Sequence, residues 1–238
     1  MVTSRIENVR ELIARTRYVV FGFDGPLCQL FSGPSATAVV RAQRDWLTEQ
    51  GLAAVLTEEE HGHADPYRAL AALTGRHPGS EAAARLDAWL GRTEQEAVRT
   101  AMPTAYADPL VRTWVAVGAR LAVATDTSAR SVTSYLNARD LTPCFAPHIF
   151  GRTPDPDTRA PRPGVLELAL DTMAAEPETS LVIGGTPAEH AAAHRAGVPF
   201  LGYARHPVRA KALHEAGVPP QSVTASLEPL LHALRRRP

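Results

Sequence analysis

Four short apolar runs punctuate the chain: Tyr18-Val19-Val20-Phe21, Leu121-Ala122-Val123-Ala124, His148-Ile149-Phe150 and Leu181-Val182-Ile183. A fifth, Pro199-Phe200-Leu201-Gly202-Tyr203, follows soon after, and each is bounded by Gly, Pro, Asp, Ser or Thr. Short continuous apolar runs with polar ends suit strands of a parallel sheet buried on both faces. Helical patterns separate most of them. Thr127 to Leu136 is one; Pro163 to Ala174, with proline in its first turn, is another; Pro187 to Ala196 ends at Gly197, a helix-stop signal. Alternating strand and helix predicts a doubly wound α/β sheet with helices on both faces.

The gap between the first run and the second is about a hundred residues, where a crossover helix needs only about a dozen. Its content reads as helical: Ser35 to Gln50, Pro66 to Leu73, and Ser80 to Thr100, where Ala82, Leu86, Trp89 and Leu90 form an apolar stripe. The expected architecture is therefore a Rossmann-like α/β core, residues 1–29 and 106–238, carrying an inserted all-helical domain at 30–105.

Composition narrows the partners. Lys plus Arg equals Asp plus Glu at 25 each, so nothing in the net charge favours nucleic acid or an anionic membrane. No apolar run approaches the ~20 residues of a membrane span, and the polar, amphipathic N-terminus lacks a signal-peptide core. Two cysteines, Cys28 and Cys144, are too few for a disulfide framework and read as free thiols of a cytoplasmic protein.

The chemistry sits at strand ends. The first run continues into Gly22-Phe23-Asp24-Gly25-Pro26-Leu27, the second into Thr125-Asp126-Thr127-Ser128. Gly184-Gly185-Thr186-Pro187-Ala188-Glu189 precedes Ala191-Ala192-Ala193-His194-Arg195-Ala196-Gly197, and Arg159-Ala160-Pro161-Arg162-Pro163 lies between. In this order the segments resemble the four motifs of the haloacid-dehalogenase-like (HAD) superfamily, in its phosphoglycolate-phosphatase-like branch with a helical cap. The resemblance implies Asp-x-Asp at positions 22 and 24, Thr or Ser at 125, a Lys near 160, and carboxylates at 185 and 189.

Here the chain departs from that pattern. The resemblance places the attacking carboxylate of an aspartyl-phosphate mechanism at position 22, and Gly22 has no side chain. Asp24 stands in the acid/base place, on the same side of the strand by alternation. Ala160 stands in place of the lysine and Gly185 in place of a carboxylate. Of the family's Mg²⁺ ligands only Glu189 and the carbonyl of Asp24 remain, against the one or two carboxylates such an ion takes. The expectation is a pseudo-phosphatase that binds a small, possibly phosphorylated ligand or a protein partner. Thr125, Asp126, Arg159 and Thr186 are its candidate contacts, and anions at helix starts near Ser128 and Thr186 would be held by N–H groups. The alternatives are a hydrolase using a non-standard mechanism, or acid/base chemistry from Asp24, Glu189 or Cys28.

Each residue also has a plainer role. Asp24 can cap a turn at Asp24-Gly25-Pro26. Thr186 reads as an N-cap. His190 and His194, four apart, lack a third zinc ligand and read as a solvated face. His61-Gly62-His63-Ala64-Asp65 reads as a polar loop. Cys28 reads as a buried thiol without an activating cation, and Trp46, Trp89 and Trp114 as core.

Overall fold

The computed structural model describes residues 10–31, 34–62, 65–152 and 164–236. Six parallel strands form the main sheet: β1 (Tyr18–Phe21), β4 (Arg120–Ser128), β5 (Ile149–Arg152), β6 (Ser180–Gly184), β7 (Phe200–Tyr203) and β8 (Val223–Thr224). A second, two-residue antiparallel ribbon pairs β2 (Cys28–Gln29) with β3 (Met102–Pro103). The main sheet runs in the order β5-β4-β1-β6-β7-β8. The chain thus moves from β1 outward to β4 and β5, then returns to the opposite side of β1. In open α/β sheets, ligands sit at the carboxyl ends of strands where the order reverses in this way.

The apolar runs alternate between two cores. Val19, Phe21, Leu121, Val123, Leu181 and Ile183 face one side, with Leu110, Val111 and Trp114 of the Ala107–Ala116 helix and Leu230, Leu231 and Leu234 of the Glu228–Arg235 helix. Val20, Ala122 and Val182 face the other, against Leu166, Ala169, Leu170 and Met173 of the Gly164–Met173 helix. Burial on both faces is why these strands read as continuous apolar runs.

The helices Pro34–Glu49, Pro66–Arg76 and Glu81–Ala97 enclose a third cluster built on Leu47, Leu70, Leu73, Leu86 and Leu90. The buried face of the last helix is Ala83, Leu86, Leu90 and Glu94. Ala82 and Trp89, expected in that stripe, are half-buried beside it. Trp46 and Trp89 pack against each other at 5.9 Å, and only Trp114 is fully enclosed. The β2–β3 ribbon joins the two ends of this helical segment, so its stem is extended rather than helical. The pattern also left unread the helices Ala107–Ala116, Pro207–Glu215 and Glu228–Arg235 and the edge strand β8. Both cysteines are free thiols. Among the described residues no helix is long and apolar enough to cross a membrane.

Candidate functional site at the strand ends

Register aligns the motifs. Phe21 of β1 pairs with Val123 on one side and Ile183 on the other. The residues that follow, Gly22, Ala124 and Gly184, therefore lie at the same sheet edge, and Gly22 N–H donates to the Ile183 carbonyl at 2.9 Å.

The space over Gly22 belongs to Glu189. A Cβ built on Gly22 would lie 3.0 Å from Glu189 Cδ and nearer still to Oε1. Glu189 reaches this place from the third position of the Pro187–Arg195 helix, where Thr186 is the N-cap and the two side chains form a capping box. Its Oε2 accepts from Gly185 N–H at 2.8 Å, Thr186 N–H at 2.9 Å and Thr186 Oγ1 at 2.9 Å. Burial pushes the carboxyl up to about 7, overriding the downward pull of those three donors, and Asp126 adds to the rise. The helix start at Thr186 is thus capped by a carboxyl group of the chain itself.

The other helix start is filled in the same way. Ser128 caps the Ala129–Ala138 helix through Ser131 N–H. Ser128 N–H donates to Glu94 Oε2 at 3.0 Å. Glu94 comes from the Glu81–Ala97 helix of the insertion, and its other oxygen pairs with Arg152 of β5. The Arg152 side chain is 3% exposed and that of Glu94 0%. Arg152 also donates to Asp87 Oδ1 at 2.5 Å and to the Asp126 carbonyl at 2.8 Å. Nearby, Tyr67 OH and Thr127 Oγ1 lie 2.9 Å apart, and Gln95 donates to Ser131 Oγ at 2.8 Å. Insertion and sheet edge are therefore tied by a buried charged network. Thr125 Oγ1 accepts from Thr127 N–H at 3.2 Å, within the stretch between Ala124 and Ser128 where the register of β4 against β5 shifts.

Asp24 is held by the loop that follows it and by Arg209. Its Oδ1 accepts from Leu30 N–H at 2.8 Å and Phe31 N–H at 3.3 Å. The loop it caps is therefore 24–31, longer than the expected Asp24-Gly25-Pro26 turn. Its Oδ2 receives Arg209 Nη2 at 3.3 Å, and the same nitrogen lies 3.4 Å from the Phe31 carbonyl. Cys28 is buried; burial and then the Asp24 carboxylate push its thiol well above the usual range, which favours the neutral thiol.

These residues do not fit a divalent ion. Gly22 and Gly185 offer no carboxylate, Asp24 and Glu189 Oε2 are spent on N–H groups, and no group of three ligating side chains occurs among the described residues. His190 is half-buried and packs edge-on against Phe200 at 5.2 Å, while His194 is exposed. His61 and Gly62 close the Glu58–Gly62 helix, and Asp65 caps the next helix through Tyr67 N–H. Arg159 and the Ala160-Pro161-Arg162-Pro163 segment lie outside the described residues, as do His63 and Ala64. Two cavities, of about 440 and 560 Å³, lie away from the strand ends, beside His190 and beside Asp171.

Sequence reasoning missed Glu94, Arg152, Tyr67 and Arg209. Glu94 had a signal: it continues the Leu86–Leu90 stripe by one more turn, so it had to be a buried charge. Arg209 follows closely on the end of β7, at the edge where ligands of such sheets lie. Arg152 and Tyr67 carried no such mark.

No protein-family model and no curated protein matches the sequence. Among solved structures, the chain is similar to a predicted phosphatase from Clostridium acetobutylicum, at 16% identity and a TM-score of 0.68, covering 92% of this chain and 98% of that one. This is the HAD-like fold with a helical cap. A conserved haloacid dehalogenase-like protein of unknown function from Agrobacterium tumefaciens aligns at 16% identity and a TM-score of 0.60, over 92% of this chain and 98% of that one. A predicted phosphoglycolate phosphatase from Haemophilus somnus aligns at 18% and 0.57, over 79% and 85%. Such identities carry the HAD-like fold and not the reaction.

Proposed function

We propose that this HAD-fold protein is a pseudo-phosphatase: it does not form an aspartyl-phosphate and instead binds a small ligand bearing an anionic group at the strand ends. The observation that carries this reading is the Glu189 carboxyl group. It fills the space above Gly22 and takes the N–H groups of Gly185 and Thr186. A transferring phosphoryl group must lie in line with an attacking oxygen and be met by unspent donors. Here the N–H groups of Gly185 and Thr186 already donate to Glu189, and that of Ser128 to Glu94. Asp24 is drawn to Arg209 and to the 30–31 backbone, away from a leaving group. We read residues 1–29 and 106–238 as the core and 30–105 as the cap, supported by the separate apolar cluster of the inserted helices.

The test is a broad panel of phosphomonoesters with Mg²⁺. Turnover is expected to stay at background. Metal-dependent turnover on the order of 1–10³ s⁻¹, abolished by Asp24→Asn, would overturn the proposal.

A second reading has one observation behind it. A carboxyl titrating at about 7 suits general acid–base work at neutral pH, so Glu189 could activate water directly. Metal-independent hydrolysis lost in Glu189→Gln would favour it.

A further inference from the structure

We infer that Arg209 is the resident cation of the strand-end site and the anchor for the carboxylate or phosphate group of its ligand, a role that needs no divalent ion. This rests on the binding function proposed above and names the residue that performs it.

The geometry is specific to one side chain. Arg209 Nη2 is 3.3 Å from Asp24 Oδ2 and 3.4 Å from the Phe31 carbonyl. Its Nη1 covers two glycines: a Cβ on Gly25 would lie 3.1 Å from it, and a Cβ on Gly185 3.6 Å. The same Gly185 position is 3.6 Å from the Asp24 carbonyl. The carbonyl at 24 and the side chain at 185 are two of the oxygen sources that the superfamily resemblance assigns to Mg²⁺. In this chain the carboxylate at 185 is missing, and a guanidinium lies beside the place it would have held.

The donors are not all used. Among the described residues Nη2 is engaged, while Nε and Nη1 donate to no protein acceptor. The side chain is 30% exposed, so these donors can be reached from solvent. A guanidinium presents its N–H groups in a planar fork that matches a carboxylate or phosphate in a two-pronged pair. Gly25 and Gly185 leave the approach clear, because neither carries a side chain. Elsewhere at this edge, Arg152 is committed to Glu94, Asp87 and the Asp126 carbonyl. Each helix start already has an internal carboxyl group beside it, Glu94 at Ser128 N–H and Glu189 at Gly185 and Thr186 N–H. Arg209 is thus a cation of the strand-end site with donors left for a ligand, and the one set against Asp24, Gly25 and Gly185; Arg205 and Arg130, also near the strand ends, are exposed.

The charge around it sets the preferred ligand. Asp24 is paired with Arg209, and the Glu189 carboxyl lies over Gly22, bonded to Gly185 N–H, with Asp126 close enough to act on it. A singly charged carboxylate therefore meets less repulsion here than a doubly charged phosphate.

The experiment follows the thermal midpoint of the full-length protein, freed of divalent ions on a chelating resin, titrated with acetate, succinate or inorganic phosphate, against sodium chloride at matched ionic strength. Wild type is expected to be stabilised in a saturable way by the oxyanions and not by chloride, with the carboxylates binding more tightly. Arg209→Met is expected to weaken binding roughly ten- to hundredfold, the loss of one charge-assisted pair, and Arg209→Lys less. Circular dichroism on each variant shows whether it is folded. Should Arg209→Met fail to fold, Gly185→Val, which crowds the approach without removing the charge, serves as the second variant. Unchanged binding in the folded Arg209 variant overturns the assignment while leaving the pseudo-phosphatase reading in place. Binding that requires Mg²⁺, or no binding of any probe by wild type, overturns the assignment together with the ligand-binding function.

Discussion

Replacing Gly22 with alanine tests whether Glu189 holds the space over the first strand. The added Cβ would lie 3.0 Å from Glu189 Cδ, at the limit real Cβ atoms reach, and closer to Oε1. Glu189 must therefore yield. It is anchored by three donors at 2.8, 2.9 and 2.9 Å, so moving it abandons a capping box, worth about 1 kcal/mol. Leaving Gly185 and Thr186 N–H groups unsatisfied adds about 1–3 kcal/mol if water cannot reach them. Gly22→Ala should thus cost about 2–4 kcal/mol at pH 5, where Glu189 is protonated and its expulsion relieves no buried charge. In Glu189→Ala the cavity is open and the same methyl group should be tolerated. The double variant should therefore be more stable than the sum of the singles predicts, by about 1–3 kcal/mol. Urea unfolding of the four proteins at pH 5 gives this coupling. Additivity within about 0.5 kcal/mol would refute the claim that Glu189 occupies the place.

The Glu189 carboxyl also ties stability to pH. Its folded value of about 7 exceeds the ordinary 4.5, so the benefit of the protonated form is complete below 4.5 and is lost as pH rises through 7. The difference of 2.5 pH units corresponds to about 3 kcal/mol. Glu189→Gln should match wild type near pH 4 and exceed its stability by a few kcal/mol at pH 8; parallel curves would contradict the burial argument. Glu94→Gln leaves Arg152, 3% exposed, without its closest partner and should cost about 3–5 kcal/mol. Hydrogen exchange should then quicken in both the Glu81–Ala97 helix and the start of the Ala129–Ala138 helix. A loss confined to one of them would mean that Glu94 does not join cap to sheet.

The sheet could be read because its physics is local and repetitive. A strand buried on both faces needs apolar residues at every position, and a helix that stops needs a glycine or a cap. Tyr18–Phe21 lies where its apolar run predicts, and the other core strands differ from their runs by a few residues at the ends. The helix Ala107–Ala116 escaped notice although Leu110, Val111 and Trp114 are among its buried residues. Its pattern is a single short amphipathic stretch without a side-chain cap. The edge strand Val223–Thr224 is two residues long and has no periodicity to detect.

The strand-end site divides along the same line. Residue identity alone determined that positions 22 and 185 carry no side chain and that positions 24 and 189 carry carboxyl groups, because side-chain chemistry is a property of the chain. What the remaining charges do was decided only by tertiary structure. Glu189 is long enough to cross from its helix to the first strand, but that becomes visible only when register sets Gly22 beside Gly184. Glu94 and Arg152 are 58 positions apart, and Asp24 and Arg209 are 185 apart. Electrostatic pairing acts through space, so no spacing rule along the chain can announce such a pair before the fold brings it together.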